Sequence, residues 1–487
     1  MSAATVPAPG GGPPVAPALD GWTVAAFALL AYSVYHAIHL SLRNAMGPDG
    51  GYYTVLSWEI GAGAVPYRDF WFMHTPGLLY AQRVYSALLG DSRAGLCATT
   101  WLQHAATLAF LLLVTRRLLR PSAAVLALVA AAYLRGIGRL EGFYYIVEPH
   151  LDALGWLSIA LALLAPERPG RRGVAIAFAA GLAAGGAFWM KQHGLLFGAL
   201  AAALPSLVAG RIRLKPAALV AAGIAVYPLG FCALHPDAAQ AFLRMGVGDL
   251  ARYAASNDKA ALPWAFRSIA HSFVWVAGLI ATGLATAALA ARSADPERRR
   301  AGRVLLACLF TGALFLAPSF VKPYPHYFLV PLPFAALGLA AALTLAPLRL
   351  VHLAALALVA LPFLPRPLTV NAILDAPVTV EPDGWRDEVD RGRFIAEHAG
   401  SAPNVYIVPN SPQYYVLARR LGIDRDYLFL PDDERALRSL ASHAPAFIVD
   451  RGDGEVDLAR YAALFRRAGY ELSAEGARVS AWRYRPR

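Results

Sequence analysis

About eleven apolar segments occupy residues 21 to 364 of this 487-residue chain, and they leave it few ways to fold. They run over Gly21–Leu42, Ala94–Val114, Ser122–Gly138, Phe143–Ala165, Gly173–Met190, Gly194–Ala209, Ala217–Leu234, Ser268–Ala291, Val304–Val321, Phe328–Leu345 and Leu350–Leu364. A helical span takes about 20 apolar residues. In hydrocarbon each backbone polar group must be satisfied within its own segment, so such segments become helices. The composition agrees, with 57% hydrophobic and 16% charged residues, where an average soluble domain is about 25% charged. The chain reads as an all-α polytopic membrane protein.

The connections give an orientation. Arg116, Arg117 and Arg120 follow the second segment, and Arg168, Arg171 and Arg172 follow the fourth. Arg211, Arg213 and Lys215 follow the sixth, Arg292 to Arg303 the eighth, and Arg349 the tenth. Every second connection is short and basic, the pattern of loops facing the cytoplasm. With eleven spans the N-terminus lies inside and the C-terminus outside. The net charge of +12 then belongs to loops facing anionic lipid, and nucleic acid is not an expected partner. Cys97, Cys232 and Cys308 fall inside apolar runs without metal-ligand spacing and read as core residues. Residues 1–20, rich in Ala, Pro and Gly, are expected to be a disordered tail. The first apolar run is too long and too aromatic for a cleaved signal peptide and is kept as a span.

The same orientation collects the unusual polar residues on the outer face. The outer loop, taken as residues 43–93, contains DGGYYTVLSWEIGAGAVPYRDFWFMHTPG from Asp49 to Gly77. It is too polar to cross a bilayer and too aromatic for a solvated linker. Helical spacing of Tyr, Trp, Glu and Ile after the PDGG turn predicts an amphipathic helix lying in the interface, with PYRDFWFMHTPG folded back over it. The bland alternative is an anchoring loop with incidental charges. Arg139–His150, Lys191–His193, His235–Arg267 and Lys322–His326 fall on the same side. Ionisable residues near membrane depth are costly and point to function.

Residues 366–487 are more charged. Short β-rich runs at Asn404–Val408, Tyr427–Leu430, Phe447–Asp450 and Val479–Tyr484 alternate with helical patterns at Trp385–His398, Pro412–Leu421, Glu434–His443 and Leu458–Ala468. That alternation predicts a small α/β domain, on the outer side of the membrane domain of residues 21–365, where it is expected to cap the membrane site or contact an acceptor rather than carry the chemistry. It has no Gly-rich or GK[ST] nucleotide fingerprint.

PDGGYY, followed after a short helix by VPYRDFWFMHTPGLLY, resembles the first outer loop of the GT-C class of polytopic glycosyltransferases. Its protein-mannosyltransferase-like, aminoarabinose-transferase-like and lipopolysaccharide-core sugar transferase families are the most similar. FWMKQHGLL, KPYPHYFLVPLPF and the C-terminal α/β domain fit the same pattern. The resemblance implies a GT-C fold in a bacterial inner membrane. It implies sugar transfer from a polyprenyl-phosphate donor to a lipid, glycan or protein acceptor on the outer face, with inversion. The family's catalytic acid, just after the first span, maps onto Asp49, and a second acid near the fourth span onto Glu148 or Asp152 of YYIVEPHLD. Where aminoarabinose transferases carry a Glu-Lys pair before a double proline, this chain has His74-Thr75-Pro76-Gly77. The donor is therefore open to differ.

Polyprenyl phosphate is a good leaving group, so the transfer needs a base at the acceptor more than an acid at the leaving oxygen. Asp49 is the base expected, with helix capping as its bland role. Cations must hold the phosphate. Arg68, Lys191 and Lys322 are the candidates, against loop bracing for Arg68 and snorkelling for the lysines. His74, His150 and His326 are candidate substrate or metal contacts. With Glu148 or Asp152 they could surround a divalent metal, the one cofactor the residues admit, with His74, Glu148 and His150 as the named set and Glu148/His150 the single tight spacing. Tyr52, Tyr53, Trp71 and Tyr324 offer stacking surfaces or an interfacial aromatic belt. A lipid-linked-sugar flippase or transporter is the alternative function, and a lipid-holding scaffold a third.

Overall fold

The computed structural model describes residues 47–70, 72–135, 145–168, 170–248, 262–321, 324–345, 384–399, 404–408, 412–422, 447–450, 458–467, 469–475 and 480–484. The expected tail, the spans Gly21–Leu42 and Leu350–Leu364, Trp71, Lys322, the strand Tyr427–Leu430 and the helix Glu434–His443 lie outside these residues.

The helices in chain order are α1 (Gly47–Gly61), α2 (Gly77–Leu89), α3 (Arg93–Leu118), α4 (Pro121–Arg135), α5 (Glu148–Leu164), α6 (Gly170–Met190), α7 (Leu195–Ala209), α8 (Leu214–Leu234), α9 (Pro236–Ala241), α10 (Leu262–Ala291), α11 (Pro296–Leu314), α12 (Ala317–Val321) and α13 (Leu332–Leu345). Further on come α14 (Gly384–Ala399), α15 (Pro412–Ala418) and α16 (Leu458–Arg467). Six stretches of described helix are long and apolar enough to cross a membrane: Ala94–Leu118, Glu148–Glu167, Gly170–Met190, Gln192–Ala209, Leu214–Leu234 and Pro296–Ser319. Shorter apolar helices at Pro121–Ala132, Val276–Ala291 and Leu332–Leu345 match three more expected spans.

Helix ends follow local chemistry. Ser92 caps α3 by accepting from the Gly95 amide. Asp295 caps α11 ahead of Pro296. Pro149 stands in the first turn of α5, so this span starts at Glu148 rather than Phe143, with Tyr145–Val147 non-helical.

Inside the bundle, α6 packs on α5 and α8, and α10 on α11 and α13. Small residues allow the α6–α8 approach. A Cβ on Gly181 would lie 2.3 Å from the Val220 carbonyl oxygen, and one on Gly223 2.6 Å from that of Phe178. Lipid tails are as apolar as leucine, so close backbone packing of this kind holds spans together.

Helix α1 differs from expectation. Instead of lying half-exposed in the interface, it is buried on nearly every side, from Gly50 to Ser57 and again at Glu59. It packs against α2 and against α15 of the C-terminal region, whose Tyr414, Tyr415 and Val416 are buried. The Trp58 indole donates to Asp91 at 2.8 Å. A sequence pattern shows which residues can be wetted, but not which the distant chain will cover.

The C-terminal strands β1 (Asn404–Val408), β2 (Leu421–Gly422), β3 (Phe447–Asp450), β4 (Tyr470–Glu475) and β5 (Ser480–Tyr484) form one mixed sheet in the order β2-β1-β3-β5-β4. β1 is parallel to β2 and β3, while β5 is antiparallel to β3 and β4. The sequence reading left β4 unassigned, although Tyr470, Leu472 and Ala474 alternate as a strand requires.

A buried candidate active site at one end of the bundle

Asp49 lies in the first turn of α1. One turn on, the buried Tyr53 hydroxyl is pushed well above its ordinary range, by burial first and then by the negative charges of Asp49 and Glu148. The Tyr327 hydroxyl is raised by burial, Glu148, Tyr324 and Asp49, in that order. Two carboxylates from distant parts of the chain therefore act on the same two phenols.

Glu148 opens α5, and Lys191 follows the last residue of α6. Lys191 Nζ donates to Glu148 Oε1 at 2.6 Å, and both side chains are almost fully buried. The ammonium also stands 4.3 Å from the centre of the Tyr327 ring, a cation–π contact. Burying one such charge alone is prohibitive, and the pair survives because each ion supplies the other's missing solvation. Glu148 Oε2 is buried without a hydrogen-bond partner among the described residues.

Asp152, one turn further along α5, takes a different partner. It forms a buried ion pair with Arg135 from the end of α4. Arg135 also meets His104 Nδ1 at 2.9 Å and the Leu329 carbonyl at 3.5 Å. The two candidates for the second acid are thus neutralised by separate cations. The sequence reading missed Arg135, although a lone cation at the end of the apolar run AVLALVAAAYLR was the signal.

The PYRDFWFMHTPG loop closes over the end of α6 and the connection that follows it. Thr75 Oγ1 donates to the Phe188 carbonyl at 2.7 Å. Gln192 Nε2 donates to the carbonyls of Met73 and Gly246 at 2.9 and 2.8 Å. A Cβ on Gly77 would come within 2.3 Å of the Trp189 carbonyl oxygen, so only glycine admits this approach. Within the loop Tyr67 takes a left-handed backbone, φ 68°. Its hydroxyl donates to the His74 carbonyl at 2.5 Å.

The remaining expected residues divide between the site and its frame. The His74 ring is buried against Phe72, and its pKa is held well below the usual imidazole value by burial and then by Lys191, His193 and His326, with the Gln192 side chain opposing. His326 stacks parallel to Tyr324 at 5.5 Å and meets Tyr327 edge-on at 4.9 Å. His150 points elsewhere, with Nδ1 3.1 Å from the Ile146 carbonyl and its ring between Tyr85 and Tyr145. Tyr52 is buried against Tyr53 and Phe72. Arg68 is 41% exposed and pairs with Asp69 and Asp237 at 2.8 and 2.9 Å. Asp69 in turn accepts from the Val65 amide. Arg68 is therefore placed as a loop brace rather than beside Glu148 and Lys191.

The expected metal set does not assemble. Among the described residues no three His, Cys, Asp or Glu side chains gather as a metal site. Both acids of α5 are already matched by a lysine and an arginine. These residues do not fit a divalent ion.

No family model matches the sequence, and no curated protein sequence matches it. Solved structures do. ArnT from Cupriavidus metallidurans bound to undecaprenyl phosphate aligns with a TM-score of 0.58 at 15% identity, covering 95% of this chain and 98% of that one. The Archaeoglobus fulgidus oligosaccharyltransferase in the apo form aligns with a TM-score of 0.51 at 13% identity, covering 90% and 71%. At these identities the likeness concerns the fold, which is that of the GT-C class.

Proposed function

We propose that the chain is a multi-pass membrane glycosyltransferase of the bacterial inner membrane. In this reading it transfers a sugar from a polyprenyl-phosphate donor to a lipid, glycan or protein acceptor at the face bearing Asp49. The observation that carries the reading is the buried Glu148–Lys191 pair beside Asp49, Tyr53 and Tyr327, in a fold matched over nearly its whole length by a transferase solved with undecaprenyl phosphate.

Lys191 is the phosphate contact in this mechanism. Glu148 holds its ammonium in place, and Tyr327 keeps it low in the site. As the acceptor hydroxyl or amine attacks the anomeric carbon, its proton passes to the Asp49 carboxylate. The bond between that carbon and the phosphate oxygen breaks with the electron pair leaving on the phosphate, where Lys191 meets the developing charge. Attack opposite the leaving group inverts the centre. Arg68 and Lys322, the other candidate phosphate cations, have no step in this scheme.

The test uses purified protein in lipid with polyprenyl-phosphate sugars, following release of free polyprenyl phosphate. Wild type should release it, and Asp49→Asn should lose about 10²–10⁴-fold in rate while keeping its fold. Lipid-linked sugar crossing the bilayer equally in both proteins, with no donor consumed, would make the protein a flippase instead.

A further inference from the structure

At the opposite end of the bundle lies a cavity of about 890 Å³ that the transfer reaction does not use. Its volume is in the range of small-molecule sites, roughly 300–1,000 Å³. Glu148 opens α5 at the site described above, and Glu167, just beyond the far end of the same helix, lines this cavity. A 17-residue helix separates the two, about 25 Å at 1.5 Å per residue, so they sit at opposite membrane faces.

The lining comes from four separate connections. Arg117 stands in the last turn of α3 and Arg120 follows it, Glu167 follows α5, Asp295, Glu297, Arg298 and Arg300 begin α11, and Thr344 and Leu345 end α13. Four guanidiniums face three carboxylates, a net charge of +1. The carboxylates are partly committed. Glu167 accepts from Arg117 at 2.7 Å and lies 3.8 Å from Arg300, and Asp295 caps the Glu297 amide at 3.0 Å. Arg117 and Arg300 share Glu167, which leaves Arg298 and Arg120 as the cations without a carboxylate partner among the described residues. Arg298 donates through Nη2 to the Leu345 carbonyl, but its buried Nε has no partner among the described residues. The lining residue Arg120 is exposed, and among the described residues no side-chain bond is assigned to it. Leu118, Leu119 and Leu345 add an apolar wall, and Leu113, just over a turn back along α3, is half-exposed.

The geometry points to a binding site for the phosphate head group of an anionic membrane lipid, held by Arg120 and Arg298 with Arg117 and Arg300 around it. Arginine forks match phosphate oxygens in pairs. Basic pockets between spans suit lipid phosphates because the acyl chains stay in the bilayer while the head group enters the pocket. This inference is independent of the sugar-transfer reading.

The experiment takes the delipidated full-length protein in neutral detergent. It adds phosphatidylglycerol or phosphatidylcholine and counts retained lipid by native mass spectrometry. Wild type should retain phosphatidylglycerol preferentially. Arg120→Gln and Arg298→Gln should each lower that retention about fivefold, the share of one arginine at an anionic surface. Arg211→Gln, exposed but outside the cavity, should not. If Arg298→Gln fails to fold for want of its Leu345 contact, Arg120→Gln decides. Equal retention in Arg120→Gln and wild type would overturn the site. Displacement of the lipid by millimolar inorganic phosphate would overturn the lipid assignment in favour of a soluble anion.

Discussion

Lys191 Nζ and Glu148 Oε1 lie 2.6 Å apart across 43 residues of sequence, joining the end of α6 to the start of α5. With Tyr327 over the ammonium, they fix one cation at the end of the bundle that also holds Asp49.

Removing one partner should cost far more than removing both. Lys191→Met leaves a buried carboxylate alone, and the expected loss is about 3–5 kcal/mol. Glu148→Gln with Lys191→Met should recover much of it in a double-mutant cycle read by thermal unfolding in detergent. Both single variants should lose donor turnover, and stability restored in the double variant should not restore turnover.

His74 sets a pH dependence. Its pKa in the folded protein is well below the ordinary 6.5, chiefly through burial. As the pH falls through the unfolded value, the unfolded chain takes up a proton that the folded one refuses. Stability therefore drops on acidification, by at most about 1.4 kcal/mol per pH unit, and the drop levels off only below the folded pKa. His74→Phe should flatten the unfolding midpoint between pH 7 and pH 5 relative to wild type. An unchanged slope would remove His74 as its source.

Gly77→Ala tests the loop seat. The added Cβ meets the Trp189 carbonyl, which is backbone and cannot rotate away. Overpacking of this kind costs about 1–3 kcal/mol. The loop should lift from Phe188 and Trp189, seen as faster proteolysis within residues 62–76 and lower turnover.

Arg68→Ala separates bracing from phosphate binding. A loop brace exposed to solvent should leave the Michaelis constant for donor unchanged and loosen only the loop, as hydrogen exchange would report. A large rise in that constant would instead return Arg68 to the donor site.

Much of this was legible in the chain. Alternating basic loops placed Arg117, Arg168 and Arg300 at one end and Asp49, Glu148 and Lys191 at the other, because charge and hydropathy act locally and survive in the linear order. The FWMKQHG and HTPG motifs were visible separately, but their contact through Thr75 and Phe188 was not. The four-residue spacing of Glu148 and Asp152 is one helical turn, and both stand on α5. That spacing said nothing of Lys191 and Arg135, which arrive from 43 and 17 residues away.

Sequence by itself determined that this chain builds apolar helices with its costly polar residues gathered at their ends, since solvation is a property of each segment. Only the tertiary structure decided which charge neutralises which, that α1 is buried under α15, and that Arg68 turns to Asp237. Those outcomes depend on distances between segments far apart in the chain. A buried charge takes whichever opposite charge the packing brings within reach.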